Sequence, residues 1–273
     1  MTSFLFPPFE RDSRANTLKA YEFGGEVDGV PTWVDLCGPD EASRQLEVAY
    51  PGAVRRVDVP VEKRTDWTHR LVFSGPPPAD FADLLTFLQS WLTLTRTRYL
   101  DFVIAAQWYK IPEDGVDPYR WENTPVGKLV QAAKYRGATP SEVAQAAARL
   151  GGGLAELAHR HPLYRSANSI VSIPGHNADG QSFGERVAAV VAQQRGFRLV
   201  QAGCTLGQRT SAKQSDSSEL MGTITIPSTL HGTAVIVDDV YHTGGSIRAT
   251  AYAVRQAGAQ TVLGIVGART LRN

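Results

Sequence analysis

The segment 233–266 constrains the fold of this chain more than any other. Residues 233–237 (TAVIV) are mostly apolar, which is typical of a strand that is buried on both faces of a sheet. Residues 246–256 repeat apolar side chains at helical spacing, and residues 261–266 form a second apolar run. Strand, helix and strand in this order predict a right-handed crossover between two parallel strands.

The same alternation extends over the second half of the chain. Helices are predicted at 125–137, 141–150 and 182–194, and strands at 169–174, 198–202 and 223–226. In the first half, strands are predicted at 55–62, 69–75 and 98–109, and one helix follows Asp80 with an apolar stripe from Phe81 to Leu92. These patterns predict an α/β fold, in which helices flank a parallel sheet, and a separate N-terminal α+β domain.

The two halves also differ in charge and in aromatic content. Residues 1–122 contain 13 Lys and Arg against 19 Asp and Glu, whereas residues 123–273 contain 15 against 8. All five Trp residues lie in the first 121 residues. We therefore expect a boundary in the Pro-, Asp- and Gly-rich segment 112–125, with an α+β domain over 1–120 and an α/β domain over 121–273. The basic second half suits an anionic ligand.

The composition, with 42% hydrophobic and 20% charged residues, is that of a soluble globular protein. No apolar run approaches the ~20 residues that a membrane span requires, so no membrane partner is expected. The N-terminus lacks a basic start followed by an apolar stretch, so no secretion signal is predicted. The two cysteines, Cys37 and Cys204, are expected to be free thiols in a reducing cytoplasm.

The turn between the first apolar run and the following helix indicates a phosphate site. Thr243, Gly244, Gly245 and Ser246 lead into the helix N-terminus, where free backbone N–H groups and the positive end of the helix dipole attract anions. The glycines allow the backbone to approach a phosphate closely, and the two hydroxyls add donors. The turn lacks lysine and the GxxxxGK(S/T) pattern, so it is not a Walker loop. For the turn alone, a plain helix cap is the alternative.

Asp238 and Asp239 follow the same apolar run. Consecutive side chains on a strand point to opposite faces, so the two carboxylates are poorly placed to act as a paired acid and base. They suit instead two vicinal hydroxyls, such as those of a ribose whose 5′-phosphate lies in the neighbouring turn. A carboxylate pair also favours Mg²⁺, directly or through sugar hydroxyls and water. For the acid pair alone, a solvated surface position is the alternative.

The run VIVDDVYHTGGS closely resembles the phosphoribosyl pyrophosphate (PRPP) motif of type I phosphoribosyltransferases, and the wider pattern resembles the ComF-like branch of that superfamily. Three weaker matches occur in the same order: KYRG at 134–137, VSIPGH at 171–176 and QRTSAKQ at 208–214. The resemblance covers about residues 123–270 and implies a type I phosphoribosyltransferase-like sheet for this part of the chain.

The resemblance also implies a role for each matching residue. Asp238 and Asp239 would bind the ribose hydroxyls and act in catalysis, and the 5′-phosphate would be held by Thr243, Gly244, Gly245 and Ser246. The pyrophosphate loop would contain Pro174, Gly175 and His176. A flap over residues 207–219 would close over PRPP and contain Arg209, which binds PRPP, and Lys213, which acts in catalysis. Mg²⁺ would arrive with PRPP, with the acid pair as its nearest carboxylates.

These features predict an enzyme that transfers phosphoribosyl from PRPP to a nitrogenous, nucleobase-like acceptor and releases pyrophosphate. Two departures from the ComF-like pattern favour a second hypothesis, a PRPP or nucleotide sensor with weak catalysis. A basic RGFNQ-type stretch is replaced by ADGQSFGERVA, and His176 is a weaker partner for pyrophosphate at neutral pH than Arg or Lys. The ComF resemblance adds a third hypothesis, an accessory role in DNA uptake with single-stranded DNA as partner. A homodimer is also expected.

Overall fold

The N-terminal part of the chain contains an antiparallel sheet and two helices. The structure, a computed structural model, describes residues 15–94, 98–135, 137–207 and 220–271. Strands β1 (Ala20–Gly24), β2 (Trp33–Cys37), β3 (Val54–Val57) and β4 (His69–Phe73) lie in the order β1-β2-β4-β3 and form the small sheet. Helices α1 (Asp40–Ala49) and α2 (Phe81–Ser90) accompany it, together with the 3₁₀ turn Val61–Lys63.

Helix α2 confirms the helix predicted after Asp80. Its apolar stripe is buried and consists of Phe81, Leu84, Leu85 and Leu88. The helix ends at Ser90, because the chain becomes extended at Trp91 (φ −130°, ψ 147°). Leu92, which the spacing predicts on the same stripe, therefore lies in the next strand.

An α/β unit surrounds a second sheet. Among the described residues, this large sheet has six strands in the order β5-β6-β12-β11-β7-β8, namely β5 (Leu92–Leu94), β6 (Phe102–Trp108), β7 (Ser169–Ser172), β8 (Arg198–Gln201), β11 (Thr233–Tyr241) and β12 (Thr261–Arg269). Strands β9 (Gly203–Cys204) and β10 (Ile224–Thr225) pair with each other in a separate ribbon. β5 is antiparallel to β6, and all other neighbours in the large sheet are parallel. The predicted parallel sheet beside an antiparallel region is confirmed.

Helices cover both faces of the large sheet. They are α3 (Pro125–Lys134), α4 (Pro140–Arg160), α5 (Pro162–Arg165), α6 (Phe183–Arg195) and α7 (Gly245–Gln256). α4 and α6 pack on one face in an apolar core that also contains buried side chains of the small sheet and of α2. α7 packs on the other face, where Ile247 and Val254 share a core with Ile236 of β11. Strands enclosed in this way are apolar on both faces, as the sequence of β11 indicates.

The large sheet crosses the predicted boundary between residues 120 and 121. β6 pairs in parallel with β12, from Phe102 beside Leu263 to Trp108 beside Arg269. All seven residues of β6 are buried, because the strand lies inside a sheet that is covered on both faces. The division between the two sheets falls between β4 and β5, so the predicted division into residues 1–120 and 121–273 cuts through the large sheet.

Two expectations from composition concern the thiols and the membrane. Cys37 and Cys204 are both free thiols, as expected. Within the described part of the chain, no helix combines the length and the apolar character needed to cross a membrane.

A buried chain of hydrogen bonds links α5 and α1 to β5 of the large sheet. Nδ1 of His161, at the start of α5, accepts a hydrogen bond from the Leu163 backbone N–H at 3.2 Å, so the ring proton lies on Nε2, which donates to Gln45 of α1 at 3.0 Å. Gln45 in turn donates to the hydroxyl of Thr93 in β5 at 3.3 Å. Burial, assisted by the charge of Arg165, lowers the pKa of His161 to about 3. The ring is therefore neutral in the folded chain.

The buried ring should make the stability of the chain depend on pH. The pKa of an unfolded histidine is about 6.5, whereas His161 in the folded chain has a pKa of about 3. As the pH falls, the unfolded chain binds the proton first, so the free energy of unfolding decreases by about 1.4 kcal/mol per pH unit below about pH 6.5. In urea unfolding at about pH 7.5 and about pH 5, we expect the wild-type chain to lose about 2 kcal/mol more than His161→Gln. Equal losses in the two chains would contradict this assignment.

Candidate functional site

A crevice opens at the carboxyl ends of β7 and β11. The pairing of these strands stops at Ser172 beside Val237, where β7 ends, whereas β11 continues beside β12 as far as Tyr241. α6 follows β7 and α7 follows β11, and these helices lie on opposite faces of the large sheet. Adjacent parallel strands whose helices lie on opposite faces form a switch point, which is the usual ligand position in such sheets.

Asp238 and Asp239 are the first residues of β11 beyond the end of β7. Asp239 is 4% exposed and Asp238 is half-buried, so neither is a fully solvated surface position. Oδ1 of Asp238 accepts a hydrogen bond from the Asp239 backbone N–H at 2.9 Å. Gly184, in the first turn of α6, lies against the same oxygen, since a Cβ on it would come within 2.8 Å. Burial, and next the charge of Asp239, raise the pKa of Asp238 well above its ordinary value.

Lys134 supplies a counter-charge for the acid pair. Its Nζ lies 2.5 Å from Oδ2 of Asp239, and the lysine side chain is 52% exposed whereas that of the aspartate is 6% exposed. Burial alone would lower the pKa of Lys134, but the carboxylates of Asp239 and Asp238 raise it above its ordinary value, so the ammonium stays charged. The half-buried phenol of Tyr109 lies close enough for the charges of Lys134 and Asp239 to affect its pKa. Burial is the main cause of the raised pKa of Tyr109.

The attachment of α3 to the large sheet explains the position of Lys134. The Thr124 hydroxyl accepts a hydrogen bond from the Gly127 N–H at 3.0 Å and donates to the Trp108 carbonyl at 2.6 Å. A Cβ on Gly127 would collide with the Tyr109 carbonyl, so this close approach requires glycine. The helix thus starts at the carboxyl end of β6, and its last residue, Lys134, reaches Asp239.

The glycine turn after β11 forms the other wall of the crevice. α7 begins at Gly245, and Gly244 precedes it in the left-handed conformation (φ 76°). A Cβ on Gly244 would also collide with the Tyr241 ring, so glycine is required on both grounds. The Thr243 hydroxyl accepts a hydrogen bond from the Gly245 N–H at 3.2 Å, and Ser246 lies in the first turn of the helix.

The two helix N-termini beside the crevice differ in their capping. α6 has a capping box, in which the Ser182 hydroxyl accepts from the Glu185 N–H and the Glu185 carboxylate accepts from the Ser182 N–H. The N-cap residue of α7 is Gly244, which has no side chain to cap the first turn. Apart from the Gly245 N–H, which donates to Thr243, the first turn of α7 is therefore more open to an anion than that of α6.

The predicted pyrophosphate loop follows β7 directly and borders the same crevice. Pro174 is buried, Gly175 is half-buried and His176 is exposed. A Cβ on Gly175 would collide with Ser182, so the loop folds back closely on the cap of α6. Ala178 adopts a left-handed backbone conformation (φ 53°), which is unfavourable for alanine and concentrates strain at this loop.

Two arginines without a predicted role lie near the glycine turn. The guanidinium of Arg269, the last residue of β12, lies 5.4 Å from the ring centroid of Trp108. Burial raises the pKa of Tyr241, and the nearby charges of Arg269 and Arg248 act in the opposite direction. The available signals were the position of Arg269 at the end of a parallel strand and that of Arg248 in the first turn of α7. For Lys134, the signal was its place in the KYRG match.

Arg209 and Lys213 lie outside the described residues, as does most of the predicted flap. The base of the flap is described: β9 pairs with β10, and the Thr205 N–H donates to the Thr223 carbonyl at 2.9 Å. β8 is parallel to β7, so residues 202–207 leave the large sheet at the same edge as the crevice. The remaining predicted site residues, on β11, at the start of α7 and after β7, are brought together there.

The acid pair fits a hydrated magnesium ion. Within the described part of the chain, no cluster of 3 or more His, Cys, Asp or Glu residues could hold a metal by itself. Mg²⁺ usually takes one or two carboxylates from a protein and completes its octahedron with water and substrate phosphates. Asp238 and Asp239 therefore suit an ion that arrives with a phosphorylated ligand.

Comparisons with known proteins leave the family open. No family model matches the sequence, and no curated protein matches it. Similar solved structures include the purine phosphoribosyltransferase of Pyrococcus horikoshii Ot3, with 21% identity, a TM-score of 0.28 and coverage of 43% of this chain and 68% of that chain. They also include the adenine phosphoribosyltransferase of Leishmania tarentolae, with 13% identity, a TM-score of 0.35 and coverage of 65% and 94%. Similarity at this level does not decide function, so the functional conclusion rests on the crevice itself, and membership of the ComF-like branch stays a prediction.

Neutralising Asp238 should stabilise the fold. Its raised pKa means that, above the ordinary aspartate value of about 3.9, the folded chain holds a proton that the unfolded chain has released, so the free energy of unfolding falls as the pH rises through this interval. Asp238→Asn removes the ionisable group and with it this loss of unfolding free energy. At neutral pH we expect it to unfold at a higher urea concentration than the wild-type chain, whereas Asp239→Asn, which leaves Lys134 without its carboxylate partner, should not. A lower midpoint for Asp238→Asn would contradict the assigned burial of charge.

Proposed function

We propose that the chain is a phosphoribosyltransferase, which binds PRPP with Mg²⁺, transfers the phosphoribosyl group to a nitrogenous, nucleobase-like acceptor and releases pyrophosphate. One observation carries the proposal: Asp238 and Asp239 meet the glycine-lined start of α7, which no side chain of its N-cap residue caps, at the switch point of the large sheet. A ribose 5-phosphate requires acceptors for its hydroxyls and donors for its phosphate within the length of one sugar. This crevice offers both.

The proposed seating assigns each wall of the crevice to one part of PRPP. The 5′-phosphate lies at residues 243–246, where backbone N–H groups and hydroxyls donate hydrogen bonds to it. Arg248 and Arg269 add positive charge there. The ribose hydroxyls donate to the acid pair of β11. The pyrophosphate extends towards the loop at 174–176, on the neighbouring strand end.

The proposed reaction exchanges one bond at the anomeric carbon for another. The bond to the pyrophosphate oxygen breaks and its electron pair leaves with pyrophosphate, while a lone pair of the acceptor nitrogen forms the new bond and that nitrogen releases its proton. Positive charge develops on the ribosyl centre, and the carboxylates of Asp238 and Asp239 would stabilise it. Mg²⁺ would neutralise charge on the departing pyrophosphate. Closure of residues 207–219, with Arg209 and Lys213, would keep water from the reacting carbon.

A second candidate function, a PRPP or nucleotide sensor with weak catalysis, is favoured by one observation. Residues 173–182 contain no Lys or Arg. The side chain in this loop that most resembles a cationic one is that of His176, which is exposed. A loop of this kind holds pyrophosphate weakly at neutral pH. Binding of single-stranded DNA, a homodimer and a cytoplasmic location stay predictions from the sequence.

Removing both acids should abolish most of the PRPP binding. At about a hundred times its dissociation constant, PRPP with Mg²⁺ should add about 2.7 kcal/mol to the stability of the wild-type chain, and we expect Asp238→Asn/Asp239→Asn to lose most of this gain in a thermal shift measurement. The matched control is Asp83→Asn/Glu156→Gln, which neutralises two exposed acids on α2 and α4 and should keep the gain. Retention of the gain by the first variant, or its absence from the wild-type chain, would overturn the proposed ligand.

Pyrophosphate release separates the enzyme from the sensor. With PRPP, Mg²⁺ and a panel of nucleobases, we expect the wild-type chain to release pyrophosphate only when its acceptor is present. The rate should fall by two orders of magnitude or more in Asp239→Asn, because electrostatic groups of this kind contribute about 10²–10³ to the rate. PRPP binding without release for any base would favour the sensor.

A further inference from the structure

We propose that Lys134 is an exchangeable counter-ion, which keeps divalent cations out of the acid pair until a ligand draws the ammonium away. This exchange involves a bare cation and no PRPP, so it goes beyond the proposed function and can be tested separately.

The ammonium of Lys134 occupies the place that a cation would need. Its Nζ lies 2.5 Å from Oδ2 of Asp239, and only 6% of that aspartate side chain is exposed. Oδ1 of the neighbouring Asp238 is already used by the Asp239 N–H and is closed off by Gly184. A metal ion that approached the pair would therefore compete with Lys134 for the same oxygen.

The pair differs from a structural ion pair elsewhere in the chain. Asp35 of β2 is fully buried, and Arg70 of β4, whose side chain is 13% exposed, holds it with two hydrogen bonds of 2.6 and 2.7 Å. Among the described residues, Lys134 instead forms one ion pair, from a side chain that is 52% exposed and lies on the last residue of α3. A lysine on a flexible stem that makes one contact can move to an anionic group more easily than a bidentate arginine can.

The charges around the pair explain why the exchange would control cation binding. Asp239 contributes one negative charge, Asp238 adds a second when it is ionised, and Lys134 contributes one positive charge. The adjacent phenol of Tyr109 is uncharged at neutral pH, since the ordinary tyrosine pKa of about 10 lies well above that pH and burial raises the pKa of Tyr109 further. A divalent ion beside a retained ammonium would be repelled at short range, in a partly buried site where screening is weak. Once the ammonium has moved, the same two carboxylates are ligands that Mg²⁺ and Mn²⁺ prefer.

The test measures binding of Mn²⁺ alone, from the electron paramagnetic resonance signal of the free ion. We expect Lys134→Met to bind Mn²⁺ on the order of tenfold or more tightly than the wild-type chain, because the repulsive charge is gone. Lys134→Arg, which keeps the charge, should stay as weak as the wild-type chain. Lys128→Met is the matched control, since it removes an exposed charge from the same helix away from the acids, and it should also bind as the wild-type chain does.

Three outcomes would overturn the proposal. The first is an affinity of Lys134→Met within about twofold of the wild-type value, and the second is an equal gain in Lys128→Met. The third is a gain that survives in Lys134→Met/Asp239→Asn, which would place the ion elsewhere. Lys134→Gln gives the same readout if the methionine variant is poorly folded. Because no PRPP is present, failure of this test leaves the proposed function standing, and failure of PRPP binding leaves this result standing.

Discussion

Two carboxylates on consecutive residues raise the free energy of a folded chain when they are buried together, and the architecture around β11 offsets this charge. The charge of Asp239 is compensated by Lys134. Asp238 is ionised less readily than an ordinary aspartate, because burial and the charge of Asp239 raise its pKa. The compensation depends on α3 starting at the end of β6, where Thr124 fixes it, since only then does its last residue reach the acids. A chain that needed only a stable fold would gain from an apolar or amide residue here, and this favours the proposed binding role.

The crevice separates its negative groups from its hydrogen-bond donors and positive groups. Its acids lie at the strand end between β7 and β11, whereas the donors of the α7 N-terminus and the positive charges of Arg248 and Arg269 lie beside the glycine turn. A free phosphate would need only the second group, and a bare metal ion only the first. The combination suits one ligand that carries hydroxyls next to an anionic group, which is why a sugar phosphate accounts for more of the site than either part alone.

The sequence predicted those parts of the site that are local in the chain. The apolar run, Asp238, Asp239 and the glycine turn occur within a few residues, and their chemistry follows from strand burial and from the free N–H groups of a helix start. The contacts of Lys134 and Arg269 were not predicted, because they depend on which strands become neighbours. The same reason explains the boundary: an apolar strand pattern predicts that residues 98–109 are extended, but it does not determine whether β6 joins the small or the large sheet.

The N-terminal half therefore contributes to the candidate site rather than standing beside it. β6 leads into Tyr109, which lies near the acid pair. The carbonyls of Trp108 and Tyr109 contact the start of α3, which in turn carries Lys134. The core that α4 and α6 share with α2 and the small sheet, together with the buried link from His161 through Gln45 to Thr93, holds β5 and β6 in place. A fragment that began after residue 120 would keep the glycine turn and the acids but would lose the strand beside β12 and the anchor of α3. The charge balance of the acid pair is thus a property of the whole described chain, although the residues that bear the charge are nearly adjacent in sequence.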